Sequence, residues 1–357
     1  MNKIDEFFKK GLYTSKSTIK TYRSTINKYF DVIGCNPETY FNQKRDYEAD
    51  IIKYWEYLNG SPPTSIQSSI SIIRRFFYMY DKTARNMDIW ETIRHRLKGS
   101  EPIIEEHVPD QEELKQILHY ADIRTKALAF IALSTGMRIE EITQLLPEDI
   151  HLDETPARIN IRAGITKGSK RRTTFLTPEA VEVLKEWERT KDQYMDTVTR
   201  KSNFNYQRNT EDKHIFPYAS STLRRGWNLA ITKAGYGEKD MQTRREHGTL
   251  KMHFHVLRKF FRSYFGNADL ASHLMGHSGY LSTYRKMNDK QLAQKYLEHM
   301  QNLLIYEREA DISDIHKQLK EKDQQIEKLL KAQKIMQLEL DIIKNKLEIE
   351  KQKNGRK

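Results

Sequence analysis

Four short patterns, far apart but in a fixed order, carry residues able to act on a phosphodiester. They are Thr135-Gly136-Met137-Arg138-Ile139-Glu140-Glu141, Thr166-Lys167-Gly168-Ser169-Lys170-Arg171-Arg172, His255-Val256-Leu257-Arg258 and Leu274-Met275-Gly276-His277, the last followed closely by Tyr284. A phosphorus under attack gathers negative charge on its non-bridging oxygens. A guanidinium is always charged and binds phosphate oxygens through a rigid fork of donors, so Arg138 and Arg258 are the candidates to stabilise that charge. Arg138 is expected in the first turn or so of a helix capped by Thr135, where free N–H groups also favour an anion. Glu141 shares its helical face and can hold it in place; alone, the pair reads as an ordinary surface ion pair. His255 and Arg258 lie three apart and face the same way on a helix, with Val256, Leu257, Phe260, Phe261 and Tyr264 available for the buried side. An isolated His-x-x-Arg reads as a core histidine bonded to a carbonyl, and an isolated tyrosine as a packing residue with a polar tip.

The elements that must position these residues can be read from periodicity and punctuation. In the first hundred residues Ile19, Tyr22, Ile26, Tyr29 and Ile33 recur at helical spacing, as do Ile51, Trp55 and Leu58, then Ile66, Ile70, Ile73, Phe77 and Tyr80. Gly60-Ser61-Pro62-Pro63 breaks two of these helices apart. A fourth, near Met87 to Leu97, carries Ile89, Trp90, Ile93 and Leu97. Four short helices with basic residues such as Lys16, Lys20, Arg23, Arg74 and Arg75 suit a DNA clamp, and equally a generic four-helix module. Lys98-Gly99-Ser100-Glu101-Pro102 reads as a linker. A new unit opens at Pro109-Asp110-Gln111-Glu112-Glu113, with Asp110 and Glu113 spaced as a capping box. Ala127 to Leu133 is apolar nearly all round and is expected to be a buried helix. Ala157 to Arg162 and Arg171 to Leu176 flank Lys167 to Lys170 as a hairpin with its tip. Thr177-Pro178 opens a helix, threonine at N-cap and proline at N1. Arg189 to His214 is polar without a clear period and reads as a loop or insertion, its Arg200, Lys201 and Arg208 within the range of residue types that meet phosphate. From Ile312 the positions Ile312, Ile315, Leu319, Ile326, Leu329, Met336, Leu340, Ile343 and Leu347 fit an a/d heptad interrupted by Lys322 and Gln333. That is the pattern of a coiled coil, or of one amphipathic helix folded back on its own protein.

Composition narrows the class. The chain has 357 residues, enough for two domains and an appendage, with 38% hydrophobic and 31% charged residues and a net charge of +12. An excess of lysine and arginine is a footprint for a polyanion such as DNA, although a merely soluble lysine-rich protein shares it. Cys35 is the one cysteine, so neither a disulfide within the chain nor a cysteine-based zinc cluster is expected. No apolar run reaches membrane-spanning length and Met1-Asn2-Lys3-Ile4-Asp5-Glu6 lacks a signal-peptide core, so a reduced, cytoplasmic, DNA-associated protein without a membrane partner is expected.

In their order and spacing, the four patterns and Tyr284 resemble the tyrosine recombinase (phage-integrase-like) family. The likeness is specific from about Pro109 to Leu304; over the N-terminal helices it rests on helix count and position, and the C-terminal heptads have no counterpart in the usual family pattern. The resemblance implies a mainly α fold with a small β region. It divides the chain into a helical core-binding, DNA-clamping domain (1–98), a linker (99–108), a tyrosine recombinase catalytic domain (109–305) and a coiled-coil tail (306–357). It also implies roles. His255, chosen over the nearby His253 because His-x-Leu-Arg is the family pattern, would assist proton transfer, which suits a side chain titrating near neutrality. Lys167, with Lys170 as the alternative, would protonate the leaving 5′ oxygen, as a lysine crowded by cations can. His277 would bond a phosphate oxygen, and a tyrosine would attack the phosphorus. The commoner spacing places that tyrosine at position 286, which here is Lys286. Gly279-Tyr280-Leu281-Ser282-Thr283-Tyr284-Arg285 resembles the shorter spacing and Gly-Tyr-Leu context of some archaeal virus and plasmid integrases, and on that likeness Tyr284 rather than Tyr280 is the nucleophile.

The implied function is site-specific recombination that integrates or excises a mobile genetic element through a 3′-phosphotyrosine intermediate. Double-stranded DNA is the expected partner, bound by a homo-oligomer forming a tetrameric synapse. No metal, cofactor or small-molecule substrate is expected. Two other functions share the residues: a type IB topoisomerase, which would relax supercoils without a defined site pair, and a DNA-binding regulator that no longer cleaves.

Overall fold

Several helices start where the sequence supplies a capping side chain, among them Asn2, Ser15, Asp46 and Asp110. The computed structural model describes residues 2–97, 106–201, 211–240, 249–277, 284 and 286–306. The chain divides into two compact units: Met1–Glu106 with Glu238–Lys251, and His107–Gly237 with Met252–Lys357.

The first unit is helical, with five α-helices among its described residues rather than the four expected: α1 (Lys3–Lys10), α2 (Lys16–Ile33), α3 (Tyr47–Tyr57), α4 (Pro63–Tyr80) and α5 (Ile89–Arg96). The additional helix, α1, is capped by Asn2, whose side chain accepts from the Asp5 N–H, and it buries Ile4, Phe7 and Phe8. Ser15 and Asp46 cap α2 and α3 in the same way. The apolar stripes meet in a core rich in aromatic rings, including Tyr29, Tyr40, Phe76, Phe77 and Trp90. A two-residue hairpin, β4 (Lys239–Asp240) with β5 (Thr249–Leu250), belongs to the same unit.

The second unit carries the four patterns. Its helices are α6 (Gln111–His119), α7 (Ile123–Thr135), α8 (Ile139–Ile142), α9 (Pro178–Lys201), α10 (Ser220–Lys233), α11 (His255–Tyr264), α12 (Ala268–Leu274) and α13 (Asp289–Met300). The Asp110–Glu113 capping box forms at α6, and the Thr177 hydroxyl accepts the Ala180 N–H at the start of α9. Helix α7 is buried on every side and forms the centre of the core, packed by α9 and α11. A three-stranded antiparallel sheet, β1 (Ile150–His151), β2 (Arg158–Ile161) and β3 (Arg172–Phe175), lies beside them in the order β1-β2-β3. Strands β2 and β3 are the expected hairpin with Lys167 to Lys170 beyond the sheet; β1 is an addition.

Three local expectations are corrected. Arg189 to Lys201 is not loop but the second half of α9, whose long polar face hides the helical period; the Arg200 Nε there donates to the Asp196 carbonyl at 3.3 Å. Thr135 does not cap a helix N-terminus. It is the last residue of α7, and Gly136, at φ +61°, turns the chain so that Arg138 becomes the N-cap of the short α8. Tyr264 is not on the buried side of α11 but 37% exposed, stacked on Phe260. The expected linker segment 98–102, Arg208, Tyr280 and the heptad tail lie outside the described residues.

Candidate active site

Arg138, Lys167 and His277 line one groove of about 520 Å³, together with Lys170, Arg171, Arg172 and the carboxylate of Glu141. Each is brought there by a different element: the start of α8, the β2–β3 connection and the turn after α12.

Arg138 is fixed by Glu141. Its backbone N–H donates to Glu141 Oε2 at 3.0 Å and its Nη1 to Oε1 at 3.3 Å. The N–H that was expected to favour an anion is therefore taken. A third of the side chain stays exposed to the groove, so the guanidinium itself remains available to a phosphate. Glu141 is buried. Burial alone would raise its carboxyl, but Arg172 and then Arg138 hold it below its ordinary value of 4.5.

Arg258 lies beneath. It is 4% exposed, and its Nη1 donates to the Gly136 carbonyl while Nη2 donates to the Met275 carbonyl at 3.0 Å. Gly136 is required at this turn for two reasons. Its φ is positive, and a Cβ there would stand 2.6 Å from the Phe261 ring. Arg258 Nη2 also reaches His277 Nε2 at 2.8 Å. Burial first, then the neighbouring cation Arg138, pulls the Arg258 guanidinium down to about 9, so it is still charged at neutral pH. Burial and then Arg258 and Arg138 hold the His277 imidazole below its ordinary 6.5. A neutral ring whose Nε2 accepts from a guanidinium carries its proton on Nδ1. His277 is thus a neutral donor in a positively charged groove.

His255 opens α11, one turn before Arg258, and is exposed. Its N–H donates to His253 Nδ1 at 3.2 Å and the two rings lie 6.2 Å apart, so His253 remains its close neighbour. Tyr284 is not among the residues lining the groove of Arg138. Its hydroxyl accepts a hydrogen bond from Asn267 Nδ2 at 3.2 Å, and its ring lies 6.1 Å from that of His273. It lines a second groove with Arg162, Asp289 and Leu292, and Arg171, Arg172 and His273 line both. Arg138, Lys167, Arg258 and His277 are therefore brought together, while Tyr284 stands in a second groove and His255 at the exposed start of α11.

Sequence reasoning missed Arg172, Asn267 and His273. Arg172 was hidden in the run Lys170-Arg171-Arg172, where only strand pairing distinguishes an inward side chain from an outward one. Asn267 carried a visible signal, since it precedes Leu270 at capping distance, and its Oδ1 does cap α12.

A sequence model described as the phage integrase family matches residues 108–291, just over half of the chain. No curated protein matches the sequence. Among solved structures, the chain is similar to a lambda integrase (75–356) dimer bound to a COC′ core site, with a TM-score of 0.55 at 14% identity over 80% of this chain and 98% of that one. It is similar to a lambda integrase tetramer bound to a Holliday junction, with a TM-score of 0.54 at 14% identity over 78% and 77%. It is also similar to XerH site-specific recombinase bound to its difH substrate in a pre-cleavage complex, with a TM-score of 0.50 at 18% identity over 82% and 80%. At such identities the likeness is one of fold.

Proposed function

The chain belongs to the phage integrase family and is a tyrosine-type site-specific DNA recombinase; from that premise we propose that Arg138, Lys167, His255, Arg258, His277 and Tyr284 are its strand-transfer site. The observation that carries this reading is the groove shared by Arg138, Lys167 and His277, with Arg258 behind His277 at 2.8 Å. A scissile phosphate in this groove meets the exposed edge of Arg138 and the Nδ1–H of His277, and the charge of buried Arg258 lies directly behind.

The chemistry needs neither a nucleotide nor a metal. The Tyr284 oxygen attacks phosphorus, its proton passing to His255. The bond from phosphorus to the 5′ oxygen breaks, and that oxygen takes a proton from Lys167. The 3′-phosphotyrosine conserves the energy of the broken link, and a 5′ hydroxyl from another strand reverses the steps. Tyr284 has to leave Asn267 and enter the groove of Arg138 for the first step. Its short distance in sequence from His277 is the spacing of some archaeal virus and plasmid integrases, and on that likeness Tyr284 is taken as the nucleophile.

The five-helix N-terminal unit is the core-binding domain, the second unit is the catalytic domain, and the heptad tail is a coiled coil that associates protomers. Double-stranded DNA is the partner, a reading supported by the lambda integrase of similar fold bound to DNA, and the lambda integrase tetramer bound to a Holliday junction supports a four-protomer synapse. The reaction integrates or excises a mobile element. A pool of randomised duplexes containing 5′-bridging phosphorothiolates tests this, because sulfur leaves irreversibly and traps the adduct. Covalent capture of a defined sequence, and recombination between two copies of it, is expected. Relaxation of supercoils with no sequence preference would favour a topoisomerase, and the absence of any adduct would leave a DNA-binding regulator.

A further inference from the structure

We infer that Arg172 is a positioning residue that locks Arg138, the hairpin of Lys167 and the turn of His277 into one rigid arrangement, so that cleavage depends on it while DNA affinity does not. The inference rests on the recombinase reading above.

Arg172 is the first residue of β3, where the connection carrying Lys167 re-enters the sheet opposite Ile161. Its side chain is 10% exposed. Each of its three guanidinium nitrogens makes a hydrogen bond within the protein. Nη2 donates to Glu141 Oε2 at 2.6 Å, Nη1 to Oε1 at 3.2 Å, and Nε to the Leu274 carbonyl at 2.9 Å. Glu141 in turn holds Arg138 through both its backbone and its side chain. The Leu274 carbonyl begins the turn Leu274-Met275-Gly276-His277, and Arg258 grips the next carbonyl, that of Met275. Two arginines from different elements thus clamp consecutive carbonyls just before His277. Gly276 adapts the turn to this clamp: its φ is +77°, and a Cβ there would stand 2.9 Å from Arg172 Cδ.

With each of its nitrogens already bonded within the protein, Arg172 acts on a phosphate through Arg138 and His277. A lysine keeps the charge but carries its donors on a single nitrogen, which cannot hold a carboxylate in a fork and a carbonyl on the far side together. Since displacements of about 1 Å in such a site cost on the order of 100-fold in rate, the lost fork should appear in the chemical step.

Full-length Arg172→Lys tests this on a duplex recovered from the phosphorothiolate pool, with its natural oxygen restored for single-turnover cleavage. The variant is expected to bind the duplex within about 3-fold of wild type and to cleave at least about 30-fold more slowly. Because it works largely through Arg138, Arg172→Lys in an Arg138→Ala background should cost much less than the product of the two single effects. Glu141→Asp, which withdraws the carboxylate by one methylene, should reproduce the slow cleavage and be equally non-additive with Arg172→Lys. Unchanged cleavage, fully multiplicative effects, or a loss of binding and thermal stability that accounts for the lost cleavage would each overturn the inference. Failure of wild type to form any adduct would instead overturn the recombinase reading, and this inference with it.

Discussion

At the scale of single residues, the proposed site combines an exposed cation with a buried one. A third of the Arg138 side chain is exposed to the groove, whereas Arg258 is buried. Arg138→Ala and Arg258→Ala should each remove roughly 3–4 kcal/mol of transition-state stabilisation, by analogy with oxyanion donors. DNA affinity, spread over many phosphate contacts, should fall only modestly. Filter binding beside single-turnover cleavage separates the two effects, and weak binding with normal cleavage of bound DNA would contradict a catalytic role. Lys167→Ala should be rescued by a 5′-bridging phosphorothiolate, because a sulfur leaving group needs no proton. Equal impairment on oxygen and sulfur substrates would point to Lys170 or to a structural hairpin. The pairing of Arg138 with Glu141 was legible because the two lie within one helical turn. Arg172 was not, since its carboxylate partner lies 31 residues earlier and its carbonyl partner 102 residues later.

At the scale of elements, the site depends on turns more than on helices. The break between α7 and α8 exists because Gly136 takes a left-handed conformation, and the carbonyl it exposes is the acceptor for Arg258. Gly136→Ala should destabilise the protein by about 2 kcal/mol or more, from unfavourable φ and the clash with Phe261. It should also slow cleavage, by displacing Arg258. Urea denaturation checks the first expectation, and an unchanged midpoint would show that the turn accommodates a side chain. Caps were the most readable features of the elements: Asp110 with Glu113, Thr177 and Pro178 stand where local chemistry places them. The second half of α9 was not readable, because a helix with a broad polar face loses its apolar period. Helix α1 escaped notice because eight residues are too few to show one, although Asn2 marks its start.

At the scale of the whole molecule, the last described residues of the second unit are packed into its core. Leu303, Leu304 and Ile305 are buried, and Glu179 accepts the N–H groups of Ile305 and Tyr306 at 2.8 and 2.6 Å. Truncation before Asp311 leaves these contacts intact. It should yield a smaller assembly by light scattering and weaker pairing of two DNA sites, with cleavage of a single site preserved. An unchanged oligomeric state, or loss of cleavage through unfolding, would make the tail an intramolecular packing element. The nucleophile decides the rest, because Tyr284 has to pass from Asn267 into the groove of Arg138 for the arrangement to function. The most direct measurement is therefore peptide mass mapping of the covalent adduct formed by the full-length protein on a phosphorothiolate duplex. The DNA fragment should be found on Tyr284, and Tyr284→Phe should form none. An adduct on Tyr280, or undiminished trapping by Tyr284→Phe, would contradict the assignment.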